Sequence, residues 1–210
     1  MSLAAYRIAA AILTSVACAG ASAAVVATNT TYGDIDGTAA TRALNVTSRG
    51  TITDLNITVE FSKCDDPPIG PNGTRCQGIG NPFEQEFRLA LIGPDGRQVD
   101  LVAPFVTYDG SGRGAGRVSV SFDDEAASAA GPRIQAGSFR PAQALSAFDG
   151  MDTFGSWTLY LQDFFPGDPL EFYSAQLDIS FDPAPVPEPA TLAMLGLGLG
   201  LIGMRRARKA

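Results

Sequence analysis

The sequence predicts an all-β domain, a jelly-roll β-sandwich of about eight antiparallel strands, between two terminal segments of different character. Apolar residues alternate with polar ones in five separate segments, whereas the 3.6-residue period of a helix is nearly absent. Turn-forming clusters such as Gly93-Pro94-Asp95-Gly96 and Pro166-Gly167-Asp168-Pro169 separate these segments. Successive strands with one wet face and no helix between them are typical of sandwiches of antiparallel sheets.

Five of the predicted strands show this alternation clearly. In each one, every second residue is apolar, so one face of the strand is apolar and the other is polar. Trp157 lies on such an apolar face, which favours core packing over a sugar-stacking platform. The apolar positions are Leu55, Ile57, Val59 and Phe61; Phe87, Leu89 and Leu91; Val118, Val120 and Phe122; Trp157, Leu159 and Leu161; and Leu177, Ile179 and Phe181.

Residues 1–23 have the features of a secretory signal peptide and its helix. Arg7 supplies the positive start, residues 8–19 are largely apolar, and Ala21-Ser22-Ala23 is a small-x-small cleavage site. The apolar run is too short to span a bilayer, which disfavours a membrane-spanning first helix. The sandwich is therefore expected over residues 24–183.

Residues 184–210 have the features of a second targeting segment. Pro187-Glu188-Pro189 is followed by an apolar run over 190–204 and by a basic cluster that includes Arg205 and Arg206. This order resembles the PEP-CTERM sorting signal of Gram-negative bacteria; an ordinary tail anchor is the alternative. The resemblance implies a short transmembrane helix that holds the precursor transiently in the inner membrane. It also implies processing by an exosortase and delivery to the cell surface or extracellular matrix.

Composition excludes several classes of function. The chain has no histidine, which removes Ser-His-Asp and Cys-His catalysis and His-ligated zinc. Residues 24–186 hold 10 of the 15 basic and 21 of the 22 acidic residues, so their net charge is −11. Nucleic acid is not an expected partner, because binding its phosphates needs clustered Lys and Arg.

Two cysteines remain if Cys18 leaves with the signal peptide. Cys64 and Cys76 lie in a segment rich in proline and glycine, residues 62–82, which is expected to be an inserted surface loop. An even number of cysteines in an exported protein favours a Cys64–Cys76 disulfide. Two unpaired thiols on the loop are the alternative.

Three stretches together resemble the P domain of subtilisin-like proprotein convertases. They are residues 51–59, residues 87–96 followed by 99–101, and a discontinuous set that begins with Phe122-Asp123-Asp124-Glu125-Ala126 and closes with Gly155-Ser156-Trp157-Thr158-Leu159-Tyr160-Leu161-Gln162-Asp163. The resemblance covers roughly residues 45–182. It implies a jelly-roll sandwich without catalytic residues, of the kind that packs against a protease and stabilises it.

An acidic group is the candidate metal site. Asp123 and Asp124 offer the hard oxygen ligands that Ca²⁺ accepts in irregular geometry. The P-domain resemblance implies that Glu86 and Asp163 could approach them. Alternatively, the two aspartates accept hydrogen bonds from backbone amides within a turn.

The remaining candidates are aromatic. Phe164-Phe165 and Phe172-Tyr173 flank a turn and are candidates for an exposed patch, with packing at the sheet edge as the alternative. We therefore expect an exported, non-enzymatic surface or matrix protein that binds an extracellular polysaccharide or another exported protein. The alternative is a companion that stabilises a separate exported subtilisin-like protease.

Overall fold

The computed structural model describes residues 22–65, 82–110 and 114–184, with isolated helical positions at Gly198 and Arg205. Ten strands and one four-residue 3₁₀ helix, Leu145–Phe148, make up the regular structure of the three ranges. The strands are β1 Ala23–Asn29, β2 Gly33–Ile35, β3 Ala39–Val46, β4 Gly50–Lys63, β5 Phe87–Ile92, β6 Gln98–Val102, β7 Ala115–Phe122, β8 Gly137–Phe139, β9 Gly155–Asp163 and β10 Leu170–Pro183.

The strands form two sheets, which confirms the predicted all-β sandwich. The six-stranded sheet has the order β1-β10-β4-β7-β8, with β2 also paired to β10. The four-stranded sheet has the order β3-β9-β5-β6. One pairing differs from the antiparallel prediction: β8 runs parallel to β7, with Val120 opposite Gly137. The connection after β7 turns the chain back past Val120, so that β8 runs in the same direction as the last three residues of β7.

The core lies between the two sheets and is built from the alternating positions. Trp157 is fully buried and packs edge-on against Phe148, with 5.0 Å between the ring centroids. Its indole N–H donates to the carbonyl of Thr153 over 3.0 Å. A buried, satisfied indole cannot offer a face to a sugar, so the core interpretation of Trp157 is confirmed.

Strand β4 is longer than the sequence suggested. The predicted loop over residues 62–82 begins too early, because Ser62 and Lys63 are buried strand residues that pair with Glu171 and Leu170 of β10. This pairing with a fourteen-residue partner strand extends β4 past the last apolar position of its alternation. Residues 66–81 lie outside the described ranges.

Strands β1 and β3 were not among the predicted segments. β3 pairs with β9, but its sequence, Ala-Ala-Thr-Arg-Ala-Leu-Asn-Val, holds only two large apolar residues. Both strands lie at the edge of a sheet, where few side chains reach the core and the alternation is therefore weak. Their pairing with long neighbours compensates for this weak pattern.

The predicted signal peptide and the C-terminal sorting segment lie largely outside the described ranges. The predicted signal helix and residues Pro187, Glu188, Pro189 and Arg206 are not among the described residues, and Arg205 is described only as an exposed helical position. Among the residues that the structure describes, no helix has the length and apolar character needed to cross a membrane.

Candidate functional site

A buried lysine organises one end of the sandwich. The Lys63 ammonium is fully buried and donates to Glu86 Oε1 at 2.8 Å and to Asp163 Oδ2 at 2.9 Å. Its third proton goes to the backbone carbonyl of Asp168. All three donors of the ammonium are therefore satisfied, which is the condition for burying a charge.

The three acceptors come from three different parts of the chain. Glu86 lies just before β5, Asp163 is the last residue of β9, and Asp168 belongs to the turn between β9 and β10. Further hydrogen bonds join these segments. Asp168 Oδ2 accepts from the backbone N–H of Phe83 at 2.8 Å, and the Glu86 carbonyl accepts from Phe164 at 3.0 Å. Lys63 thus fixes the loops around it.

The cluster carries one positive and two negative side chains in a dry environment. Burial raises the pKa of Asp163 to about 6, against the opposing effect of the Lys63 ammonium. Burial also raises the pKa of Glu86, again opposed by Lys63. Desolvation therefore outweighs the attraction of the Lys63 ammonium at both carboxyls, and the pKa of each lies above its usual range.

An open cleft lies above this cluster. It has a volume of about 460 Å³ and is lined by Phe83, Phe105 and Phe165, with Gln85 and Asp168 among its polar neighbours. The exposed fractions of the three phenylalanines are 61%, 53% and 55%. Large apolar side chains that are exposed together mark a ligand groove or a protein interface. We call this feature the aromatic cleft.

Phe105 is held in an unusual backbone conformation. Its φ of 60° lies in the left-handed region, and among the described residues it is the one non-glycine with a positive φ. Its N–H donates to the Gln85 carbonyl at 2.6 Å, and its ring lies 5.6 Å from the Phe164 ring and 6.3 Å from the Phe165 ring, centroid to centroid. A strained residue that exposes its ring at a cleft is a feature of binding sites.

The predicted aromatic pairs have different outcomes. Phe165 is exposed at the cleft, whereas Phe172 is fully buried and Arg42 stacks over its ring. Tyr173 packs against Tyr32 on the outer face, with 5.7 Å between the ring centroids. Phe83 and Phe105 were missed because each is a single phenylalanine in a loop, where alternation gives no information.

The four residues of the calcium prediction do not form one site. Glu86 and Asp163 meet at Lys63, near the start of β7, whereas Asp123 and Asp124 follow its last residue at the opposite end. The eight residues of β7 separate the two groups. Within the three described ranges, no group of three or more metal-ligating side chains is arranged to hold an ion. Calcium binding remains a prediction.

Asp123 and Asp124 bind backbone amides. Asp123 Oδ1 accepts from the N–H of Glu125 at 2.8 Å, as expected for a turn. The Asp124 carboxylate accepts from Leu145 at 2.9 Å and from Ser146 at 2.8 Å, the first two N–H groups of the 3₁₀ helix. The hydrogen bonds of the turn alternative are thus present at both residues.

Cys64 also lies at the cleft end of the sandwich, directly after Lys63. It is disulfide-bonded and buried. The predicted partner, Cys76, lies outside the described residues, so the pairing itself remains a prediction.

Lys63 was not among the predicted site residues, although the alternation of β4 extends to it. The inward positions of β4 are Leu55, Ile57, Val59 and Phe61, and the next step of the same alternation is Lys63. In β9 the series of Trp157, Leu159 and Leu161 reaches Asp163 in the same way. Extending each pattern by one step places an ammonium and a carboxylate on facing sheets.

Comparison with known proteins identifies the C-terminal segment. Residues 185–209 match the family model of the PEP-CTERM protein-sorting motif. The chain ends in a PEP-CTERM motif. This motif indicates an exported protein whose membrane-anchored precursor is processed by an exosortase for the cell surface. The match covers the C-terminal address and not the sandwich, and no curated protein matches the sequence.

Solved structures similar to the sandwich have low sequence identity. A chain in the complex of the Aeromonas sobria serine protease with its chaperone is 12% identical, with a TM-score of 0.46. FLHE is also 12% identical, with a TM-score of 0.40, and the match covers 78% of this chain and 98% of FLHE. The first match covers 78% of this chain but 28% of the other. Similarity at this level carries no information on activity.

Proposed function

We propose that this chain is an exported, non-catalytic protein whose aromatic cleft binds a glycan at the cell surface or in the extracellular matrix. The observation that carries the proposal is the convergence of Phe83, Phe105 and Phe165, each more than half exposed, on one cleft. The PEP-CTERM motif supports an extracellular location for this binding.

The chemistry of the cleft suits a saccharide. Phenyl faces stack on the apolar C–H faces of sugar rings, as they do on other apolar surfaces. Gln85 and Asp168 add an amide and a carboxylate to the lining, which can hydrogen-bond sugar hydroxyls. A volume of about 460 Å³ lies in the usual range for small-ligand sites.

Hydrogen bonds to buried groups hold the loops of the aromatic cleft in place, as expected for a binding site. The loops that carry Phe83 and Phe165 are hydrogen-bonded to Asp168 and Glu86, which Lys63 holds in turn. The Phe105 N–H donates to the Gln85 carbonyl. Rings held in place before the ligand arrives lose little freedom on binding. The aromatic cleft is therefore preorganised.

Co-sedimentation of the exported protein with the extracellular polysaccharide of the producing cells tests this function. We expect Phe105→Ala and Phe165→Ala each to weaken binding about tenfold, the effect of losing a central aromatic contact. Phe154→Ala is the matched control, because Phe154 is 43% exposed and lies beside the first residue of β9, at the opposite end of the sandwich. If the cleft variants bound the polysaccharide as well as the control, the aromatic cleft would not be the binding site.

A second candidate is a stabilising companion of an exported subtilisin-like protease. The three sequence stretches that resemble a P domain support it, and the exposed phenylalanines suit a protein interface as well as a sugar. This function predicts no pelleting with polysaccharide, with or without calcium. It also predicts co-purification with the protease and a higher melting temperature of that enzyme.

A further inference from the structure

Lys63 is an unusual residue in this domain. It is the one lysine in residues 24–186, where the other nine basic residues are arginines. It is fully buried, while Arg49, Arg97 and Arg117 keep about half of their side chains exposed. Buried ion clusters contribute little net stability, because desolvation offsets their attraction. A single buried lysine between two carboxylates therefore invites a chemical explanation.

We propose that Lys63 and Asp163 condense to an intramolecular amide, an isopeptide bond, with Glu86 as the proton-transfer group. The reacting groups are in contact: Nζ lies 2.9 Å from Asp163 Oδ2 and 2.8 Å from Glu86 Oε1. Intramolecular reactions of well-oriented groups reach effective molarities of about 10⁵ M or more.

The reaction balances without any further reagent. The ammonium transfers one proton to Asp163 Oδ2, which leaves a neutral amine and a carboxylic acid. Nζ then attacks Cγ, and its second proton passes to Glu86. Glu86 returns that proton to Oδ2, the Cγ–Oδ2 bond breaks, and water leaves. The third proton stays on the amide nitrogen, and Glu86 ends unchanged.

The surroundings of Asp163 favour attack at its carboxyl group. Oδ1 accepts from the Phe165 N–H at 3.4 Å, and Oδ2 accepts from the Leu170 N–H at 3.2 Å. The Phe165 N–H can stabilise the negative charge that develops on Oδ1 when Nζ adds to Cγ. Burial raises the pKa of Asp163, which favours the protonated carboxyl that Nζ attacks, and it raises the pKa of Glu86, which makes the Glu86 carboxylate a better proton acceptor.

Asp163 rather than Glu86 is the acyl partner. The Asp163 side chain is fully buried and receives the two backbone N–H groups, whereas 6% of the Glu86 side chain is exposed. Glu86 also lines the aromatic cleft, so it connects the buried cluster with solvent. The water that is released can leave by this route, and its escape into bulk solvent favours condensation.

The bond would join the two sheets covalently. Lys63 ends β4 of the six-stranded sheet, and Asp163 ends β9 of the four-stranded sheet. A link between residues so far apart in sequence removes much of the freedom of the unfolded chain. Outside the cell no chaperone or protease machinery powered by ATP repairs a protein, and a permanent link there would extend its lifetime.

Mass spectrometry of the exported wild-type protein tests the proposal directly. After reduction of disulfides and digestion, we expect one bridged peptide pair that contains Lys63 and Asp163 and is lighter by one water molecule. Trypsin does not cleave after an acylated lysine, and an amine-reactive label does not attach to it in denaturant. Cleavage and labelling at Lys63 would overturn the proposal. A bridge to Glu86 instead would overturn the assignment to Asp163.

Two variants separate the roles of the residues. Glu86→Gln preserves the size of the side chain but cannot accept and return a proton, so we expect loss of the bridge. Glu60→Gln is the matched control, because Glu60 pairs with Arg117 on the surface. In this variant the Lys63–Asp163 bridge should form as in the wild type. A complete bridge in Glu86→Gln would overturn the role of Glu86. The wild-type result decides on the bond itself, whether or not a variant folds.

Discussion

Phe105 combines an unfavourable backbone conformation with an exposed ring. A left-handed conformation costs an L-residue about 1 kcal/mol or more. Because more than half of Phe105 is exposed, burial of its ring offsets only part of this cost. The hydrogen bond from its N–H to Gln85 holds the backbone in place. The position therefore trades stability for the placement of an aromatic ring.

Glycine and alanine at position 105 provide a test of this trade. Both remove the ring, but glycine adopts a positive φ without a steric penalty. We expect Phe105→Gly to be more stable than Phe105→Ala by about 1 kcal/mol in urea unfolding, while both lose binding equally. Equal stability of the two variants would show that the conformation carries no strain.

At the residue scale, burial changes the reactivity of the Lys63 side chain. The same side chain on the surface would be a solvated cation, but here it is surrounded by two carboxyls and a carbonyl. Lys63 is buried because it occupies the next inward position of β4 after Phe61. The environment, and not the residue type, makes Lys63 a candidate nucleophile.

The 3₁₀ helix depends on a residue that lies far from it in sequence. Asp124 accepts hydrogen bonds from both Leu145 and Ser146, so one carboxylate satisfies the first two amides of the element. The element in turn buries Leu145 and Phe148, and Phe148 packs on Trp157. Asp124 thereby connects the turn after β7 with the core.

Removal of this carboxylate should destabilise the protein. We expect Asp124→Ala to lower the free energy of unfolding by about 1–2 kcal/mol, the usual cost of losing a capping side chain. Glu125→Ala, which removes the same charge from the neighbouring residue, should cost less than half as much in the same urea titration. If adding calcium raises the melting temperature of the wild type but not of Asp124→Ala, Asp124 is a metal ligand after all.

At the scale of elements, the sequence predicted strands where alternation is strong. The apolar series in β4, β5, β9 and β10 predicted those strands, because their inward residues pack between two sheets. The edge strands and the aromatic cleft were not predictable in the same way. The cleft consists of loop residues whose proximity depends on tertiary hydrogen bonds, and these leave no periodic signal.

At the scale of the whole molecule, the Lys63 cluster is a buried polar connection between the two sheets. Replacing Lys63 by methionine keeps a long side chain, but it removes the amine of the proposed bond and leaves Glu86 and Asp163 buried without a cation. Breaking a buried pair in this way costs about 3–5 kcal/mol. Burial already raises the pKa of both carboxyls, and removing the ammonium raises it further.

This change makes the stability of the variant depend on pH. Because the folded-state pKa values exceed those of the unfolded chain, the protonated carboxyls stabilise the fold at low pH, and this stabilisation is lost as pH rises through the folded values. Between pH 5 and 7.5 we expect Lys63→Met to lose about 1–3 kcal/mol relative to the wild type in chemical denaturation. The double variant with Asp163→Asn should lose less. If the stability of wild type and variant changed with pH in the same way, Lys63 would not be the group that stabilises the two buried carboxylates.

The direction of β10 determines how the protein faces its surroundings. This strand begins at Leu170, beside the aromatic cleft, and ends at Pro183, and its fourteen residues span about 45 Å. The chain therefore leaves the sandwich toward its sorting motif from the end farthest from the cleft. In a precursor held by its C-terminus, the three phenylalanines would therefore lie at the opposite end of β10 from the attachment.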